Sequence, residues 1–574
     1  MNSAISKEFD GGRLRAVVPV YQALAEDIRK ADVDTVFGLM SDDTAVFVTA
    51  LDTIGIGFHG ARHENSAIAM AEGYATASGR LGVAVVGRGP ATANGLHAAV
   101  YASRTGAKVL IIYGEAPFSP GAINTLGPDY KEFDAAGVLA AAGLKSFVAT
   151  SAGAARTALA DALAEAMLGR TVTLRLPTNI QLAEIELATD DGHLSLAQDA
   201  PVPQPARAQA IDATVALLEK SRKPLIIAGL GAHRSGAKAA LESLAERIGA
   251  LLLTSARGKE MFRDNPYNLG IIGSFSHSVA RRLVEQTDCV LVFGAGLNFL
   301  TTSFGTFVPE VPLVQVDRVR NNIGRWCDAD IAVVGDAKLA AEQLLTALPA
   351  RTDVEKPFHT AEVRGSLAKF DPADDFQAAP TARTVDPRSL GIELNKLLPE
   401  NRSIVYDAGN FLGIVPFLSV PGPDHFKLTT DFASIGIGFG TALGFAKARP
   451  DSTTILVIGD GGFLMTMGEL ETAAREDLPL IIVLMNDCAY GAELHLLKMQ
   501  QLPVSKSVFP DVDFAPVAEA FGFRAATIRT LDDLRALAPL LANPEEPIFL
   551  DCKINADVAA PFMGEFAAFE ASRD

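Results

Sequence analysis

The sequence predicts an α/β protein made of three doubly wound parallel-sheet domains, and three observations lead there. At 574 residues the chain exceeds what one hydrophobic core sustains, so about three domains are expected. Strand-length apolar runs alternate with helix-forming segments in three separate blocks, which is the pattern of βαβ units. Two stretches rich in Pro, Ala and Asp, near residues 196–210 and 350–385, separate the blocks as linkers.

The first block, residues 14–195, contains "VDTVFGLM", "GIGFHGARHENSAIAMAEGYATASG", "LGVAVVGRGP", "KVLIIYGEAP" and "TVTLRLPTN". The second, residues 205–348, contains "KPLIIAGLGA", "GALLLTSARG", "CVLVFGAGLN" and "VPLVQVD". The third, residues 385–558, opens at "SIVYDAGN". Residues 559–574 form a tail that is either ordered over a site or frayed.

Composition narrows the function. Hydrophobic residues are 49% and charged residues 21%, as in a folded soluble protein. A net charge of −18 without a basic patch argues against nucleic acid. No apolar run reaches membrane-span length, and the N-terminus lacks the apolar stretch of a secretory signal. Four scattered cysteines without metal spacing suit a reduced, cytoplasmic protein.

Two strands of the third block stop on acidic turns. "TTILVI" (453–458) runs into Gly-Asp-Gly at 459–461, and "LPLIIVLM" (478–485) runs into Asn-Asp-Cys. Between them "GELETAARE" (468–476) has helix-forming composition and an apolar stripe. Strand, turn, helix and strand of this length make a right-handed parallel crossover. Both turns then lie at the carboxyl ends of parallel strands, where open α/β sheets bind ligands. Asp460 and Asp487 face one crevice, and paired carboxylates beside glycine-rich backbone suit Mg²⁺ holding a diphosphate. An Asp-Gly turn alone carries no such meaning. Its strand–turn–helix setting and the second acidic turn supply it.

Gly-Asp-Gly, a spacer of residues 462–485 and then an Asn-Asp pair resembles the signature of thiamine diphosphate (ThDP) enzymes, whose pair is Asn-Asn. With three α/β blocks, the chain resembles the acetolactate synthase, pyruvate oxidase and pyruvate decarboxylase superfamily over nearly its whole length, and is acetolactate-synthase-like. The resemblance implies the order pyrimidine-binding, central and diphosphate-binding domain.

What the resemblance implies for individual residues follows the same order. "RHENSAIAMAEGYATASG" is similar to the family's Arg-His-Glu helix and makes Glu64 the carboxyl at the pyrimidine N1′ of ThDP, where it favours the imino tautomer that deprotonates the thiazolium. A solvated helix-start Glu is the plain alternative. His63 either touches substrate or caps the helix. "GRGPATANGL" resembles a Gly-Pro-Gly turn near the pyrimidine and contributes Pro90 and Asn94, with Ala91 replacing the second glycine. "FGLM" stands where relatives carry Gly-Tyr-Pro-Gly, which leaves the following "SDDT" uninterpreted. In the third domain Gly409 and Asn410 offer backbone donors to the diphosphate. Ile435 is the apolar residue that bends the cofactor into a V, or else simple core. Gly459, Gly461, Gly462 and Tyr490 line the cofactor. Asp460, Asp487 and the Ala489 carbonyl hold Mg²⁺. Glu493 and His495 stand where an acid or base could act on the substrate-derived carbanion, or are ordinary polar residues of a helix start.

The implied enzyme makes or cleaves the C–C bond beside a carbonyl of a 2-oxo acid or ketone. An acetolactate-synthase-like carboligase comes first, then a 2-oxo acid decarboxylase or a C–C lyase or hydrolase of diketone type. An FAD-dependent oxidase and an inactive regulatory paralogue follow. In relatives the central domain binds FAD, binds ADP or is empty. Its "GLGAHRSG" (229–236) does not have dinucleotide spacing, so all three readings stay open. The expected assembly is a homodimer or homotetramer.

Overall fold

The computed structural model describes residues 7–10, 13–117, 130–188, 202–349 and 357–572. Three six-stranded sheets are present, parallel throughout. The first runs, in spatial order, Gly57–Gly60, Thr35–Gly38, Gly82–Val86, Val109–Glu115, Thr171–Pro177 and Lys145–Val148. The second runs Asn268–Ile271, Leu251–Thr254, Pro224–Ala228, Cys289–Phe293, Leu313–Asp317 and Ile331–Val334. The third runs Phe426–Leu428, Arg402–Tyr406, Thr453–Gly459, Leu480–Asn486, Ile548–Lys553 and Arg524–Ile528. Helices cover both faces of such sheets, so central strands are buried on both sides and read as unbroken apolar runs. Cys289–Phe293 and Leu480–Asn486 are buried at every position.

Three features depart from the sequence reading. A small antiparallel sheet joins Lys7–Asp10, Arg13–Pro19 and Glu184–Ala188, so the first domain is framed by its own two ends. The segment expected as one helix over 468–476 is preceded by a separate one, Asp460–Thr466, and itself forms Glu469–Arg475. The second linker carries the helix Ala361–Ala368 and a buried Phe358, so its described part packs on the central domain. Of the first linker, residues 202–210 are described, and its last three open the helix Ala208–Leu218.

The first and third domains meet through two glycine-lined helices, Glu64–Ser78 and Gly438–Ala448. A Cβ added at Gly444 would stand 2.0 Å from the Met70 carbonyl oxygen, and one at Gly73 would stand 2.1 Å from that of Thr441. Backbone cannot yield as a side-chain tip can, so glycine is what allows these helices to touch. The tail forms the helix Pro561–Ala571, docked on the central domain by Arg281–Glu565 at 2.9 Å and by Phe562 edge-on to Phe275.

Candidate active site

In the third sheet, Arg402–Tyr406 pairs with Phe426–Leu428 on one side and Thr453–Gly459 on the other. Connections therefore leave it in opposite directions, and the crevice at such a switch point is where open α/β sheets take ligands. The carboxyl ends here carry Asp407–Asn410, Asp460 and, one strand further, Asp487.

Asp460 opens its helix and is buried, with Oδ1 accepting from the Gly461 N–H at 3.0 Å. Asp487 is half-buried and accepts from the Ala489 N–H at 3.1 Å. Burial, together with the nearby Asp551 charge, pushes the Asp460 carboxyl up to about 7. Burial and then the Asp460 charge push Asp487 well above the carboxylate range. Two like charges this close call for a cation between them.

The third oxygen follows from backbone geometry. Ala489 forms an antiparallel bridge with Val508, but the bonds are made by its neighbours, Phe509 N–H to Cys488 O and Tyr490 N–H to Ser507 O. The polar groups of Ala489 thus face away from that partner, on the side where its N–H reaches Asp487. Two carboxylates and one carbonyl suit a hard cation and leave octahedral positions for ligand oxygens and water. Among the described residues no group of three or more His, Cys, Asp or Glu forms a self-sufficient metal site. The residues present fit Mg²⁺ shared with a diphosphate.

Behind the pair lie residues the sequence reading passed over. Asp551, fully buried, accepts from Asn486 Nδ2 at 2.9 Å and from the Phe514 N–H at 2.8 Å, and pairs with Lys553 at 3.0 Å. Its signal was present: an acid inside the apolar strand "IFLDCK" must be paired. Asp407, also fully buried, accepts from the Gly436 and Gly438 N–H groups at 2.7 and 3.0 Å and from Thr429 Oγ1 at 3.2 Å. Burial pushes its carboxyl up to about 6, with those donors pulling the other way. Asp407 thereby pins the turn carrying Ile435, which is half-buried, whereas Ile437 is fully buried core.

Gly409 and Gly459 both lie against the Phe411 ring, which a Cβ at either would meet at 2.6 and 3.1 Å. The Asn410 side chain is engaged elsewhere: Nδ2 donates to Val558 O at 2.9 Å and Oδ1 accepts from the Ala560 N–H at 2.8 Å. It moors the C-terminal segment, and only its backbone remains for an anion. Gly461 stacks under Tyr490, and a Cβ at Gly462 would meet Asp407 Oδ2 at 2.4 Å.

In the first domain, Glu64 opens its helix and His63 caps it, Nδ1 accepting from the Asn65 N–H at 3.0 Å. Asn94 Nδ2 donates to Glu64 Oε2 at 3.1 Å, which unites two of the predicted residues. Pro90 starts the helix Pro90–Thr105 after Gly89, whose φ of +60° with ψ of −105° suits glycine alone. Ala91 already lies in the helix, so the family's second glycine is not needed for backbone freedom. Glu493 and His495 diverge. Two positions apart on one helix, they face nearly opposite ways: Glu493 is exposed, and His495 is buried, with burial and Lys498 lowering its pKa. The Cys488 thiol is pushed up to about 11 by burial, so it stays protonated. No helix among the described residues is long and apolar enough to cross a membrane.

Comparison with known proteins gives the arrangement its family. Residues 19–130 match the thiamine pyrophosphate enzyme N-terminal TPP binding domain, 211–344 the central domain and 407–552 the C-terminal TPP binding domain (thiamine pyrophosphate and thiamine diphosphate are one compound). A probable acetolactate synthase large subunit of Methanocaldococcus jannaschii is 27% identical over 94% of this chain and 93% of its own. The acetolactate synthase isozyme 2 large subunit of Escherichia coli is 26% identical over 93% and 95%. Sulfoacetaldehyde acetyltransferase of Castellaniella defragrans is 25% identical over 89% and 88%. The chain belongs to the thiamine pyrophosphate enzymes and is an acetolactate-synthase-like, ThDP-dependent enzyme.

Proposed function

We propose a Mg²⁺-assisted carboligase that joins a 2-oxo acid to a second carbonyl compound. The observation that carries it is the pairing of buried Asp460 with half-buried Asp487 and the Ala489 backbone, set at the switch point beside the Asp407-pinned Ile435 turn. Bound there, ThDP supplies a nucleophilic carbon and an electron sink for the bond next to a carbonyl. Asp460, Asp487 and the Ala489 carbonyl hold the cation. The backbone of Gly409, Asn410, Gly461 and Gly462 takes the diphosphate, while Ile435 supports the bend. Glu64, held by Asn94, exchanges the proton at the pyrimidine N1′, and Glu493, exposed in the first turn of the helix Gly491–Met499, is the acid–base group. A turnover screen of 2-oxo acids and diketones with ThDP and Mg²⁺ tests this. Carbon dioxide and aldehyde alone would make it a decarboxylase, and cleavage of a diketone would make it a lyase or hydrolase.

Glu64→Gln keeps the size of the side chain and removes the proton exchange. Turnover should fall roughly 10²–10⁴-fold, the range for one acid–base group, with ThDP still bound. Exchange of the thiazolium C2 proton into D₂O, followed by NMR, should slow with it. Wild-type exchange in the variant would remove Glu64 from the site.

The active unit is at least a dimer. Leu464 and Met465, just beyond the Gly-Asp-Gly turn, are 48% and 62% exposed, and Met40 and Phe432 are also open to solvent. Met465 lies against Gly436 of the Ile435 turn, and large apolar side chains left exposed beside a site mark an interface. Light scattering at assay concentration should give at least two copies, and a fully active monomer would refute this.

The central domain has its own switch-point cleft of about 450 Å³, lined by Gly231, Gly294 and Gly296 and by Arg104, Arg234, Arg257, Arg318 and Arg325. Burial, then Arg257 and Arg318, lowers the Arg234 pKa, as expected where like charges crowd. This cleft suits an anionic nucleotide, ADP in preference to FAD. A yellow purified protein would reverse that preference.

A further inference from the structure

Two of the arginines lining the central cleft also grip the turn that presents Ile435 to the catalytic crevice. The Arg257 guanidinium is ion-paired with Asp431, and that of Arg104 lies 5.1 Å over the Phe432 ring. Both belong to the short 3₁₀ turn Thr430–Phe432. Next comes Ala433, at a left-handed φ of +52° that a residue with a Cβ adopts only when its surroundings impose it. Ser434 then hydrogen-bonds His97 Nε2 at 2.7 Å, and Gly436 donates to Asp407. The helix Pro90–Thr105 supplies Asn94 to Glu64, His97 to the turn and Arg104 to the cleft, so one rigid element touches all three.

Resting on the nucleotide reading of the cleft, we infer that a polyphosphate ligand there and ThDP in the carboxylate site oppose each other, because the ligand competes with Asp431 for Arg257. A diphosphate outbids a single carboxylate for a guanidinium, since it offers more charge and bidentate oxygens. Asp431, mostly shielded from water, then loses its counter-charge, and the turn must shift to solvate it. ThDP favours the turn as it stands, with Ile435 in place. Linkage makes the effect mutual: each ligand weakens the other by the same factor.

ADP is the probe, titrated by calorimetry into the full chain with and without saturating ThDP and Mg²⁺. The expected result is an ADP affinity weaker by about five- to tenfold when ThDP is bound, within the usual span of coupling between sites. In Asp431→Asn, which keeps the shape of the side chain, ADP should bind tighter than in wild type and equally well with or without ThDP. In Arg318→Ala, which lines the cleft but does not touch the turn, ADP should weaken while the ThDP-dependent ratio stays. Equal affinity in the two states of the wild type overturns the coupling and leaves the cleft reading standing. So does antagonism that persists in Asp431→Asn, which would mean that ADP enters the carboxylate site itself. No ADP binding at millimolar concentration overturns the cleft reading and the inference with it.

Discussion

Asp460→Ala is expected to abolish turnover and to remove measurable ThDP binding at millimolar Mg²⁺. On the proposed assignment, the variant would delete one of two carboxylates that hold the cation and leave the diphosphate charge facing Asp487 and Asp551. Nothing among the described groups replaces it, because Lys553 is held by Asp551 and Asp511 at 3.0 and 3.1 Å. Asp487→Asn, by contrast, keeps an oxygen ligand and relieves the like-charge contact, so it should retain the cofactor and need no more Mg²⁺ than wild type. Calorimetric titration of ThDP and Mg²⁺ distinguishes the two. Wild-type affinity in Asp460→Ala would refute the cation assignment.

Lys427→Met is expected to cost about 3–5 kcal/mol of stability, the range for breaking a buried ion pair from one side. Lys427 Nζ lies 2.5 Å from Glu72 Oε1, with side chains 7% and 0% exposed. The same oxygen accepts from Thr76 at 2.8 Å, and the lysine lies over the Tyr101 ring. The pair joins the third domain to the helix that begins at Glu64. Losing the ammonium strands a carboxylate where the first and third domains meet. Adding Glu72→Gln should recover most of the loss, since the stranded charge and not the missing contact is what destabilises. Denaturant unfolding of the two variants and wild type gives the comparison. A single variant as stable as wild type would show that water reaches Glu72.

The sequence by itself determined the strands, their parallel arrangement and the acidic turns that end them. A parallel strand is covered on both faces, so its apolar run is continuous and local, and "TTILVI" followed by Gly-Asp-Gly needs no knowledge of distant residues. That Asp460, Asp487 and Glu64 stand where an element begins or ends was legible for the same reason. Only the tertiary structure decided where side chains between such points spend their hydrogen bonds. It gave the Asn410 amide to the tail, parted Glu493 from His495 and set Asp407 under the Ile435 turn. It also brought Arg104 of the first domain into the central cleft and Glu72 onto Lys427. Those pairings join residues far apart in the chain, and their energy comes from burial and charge that exist only once the domains have met.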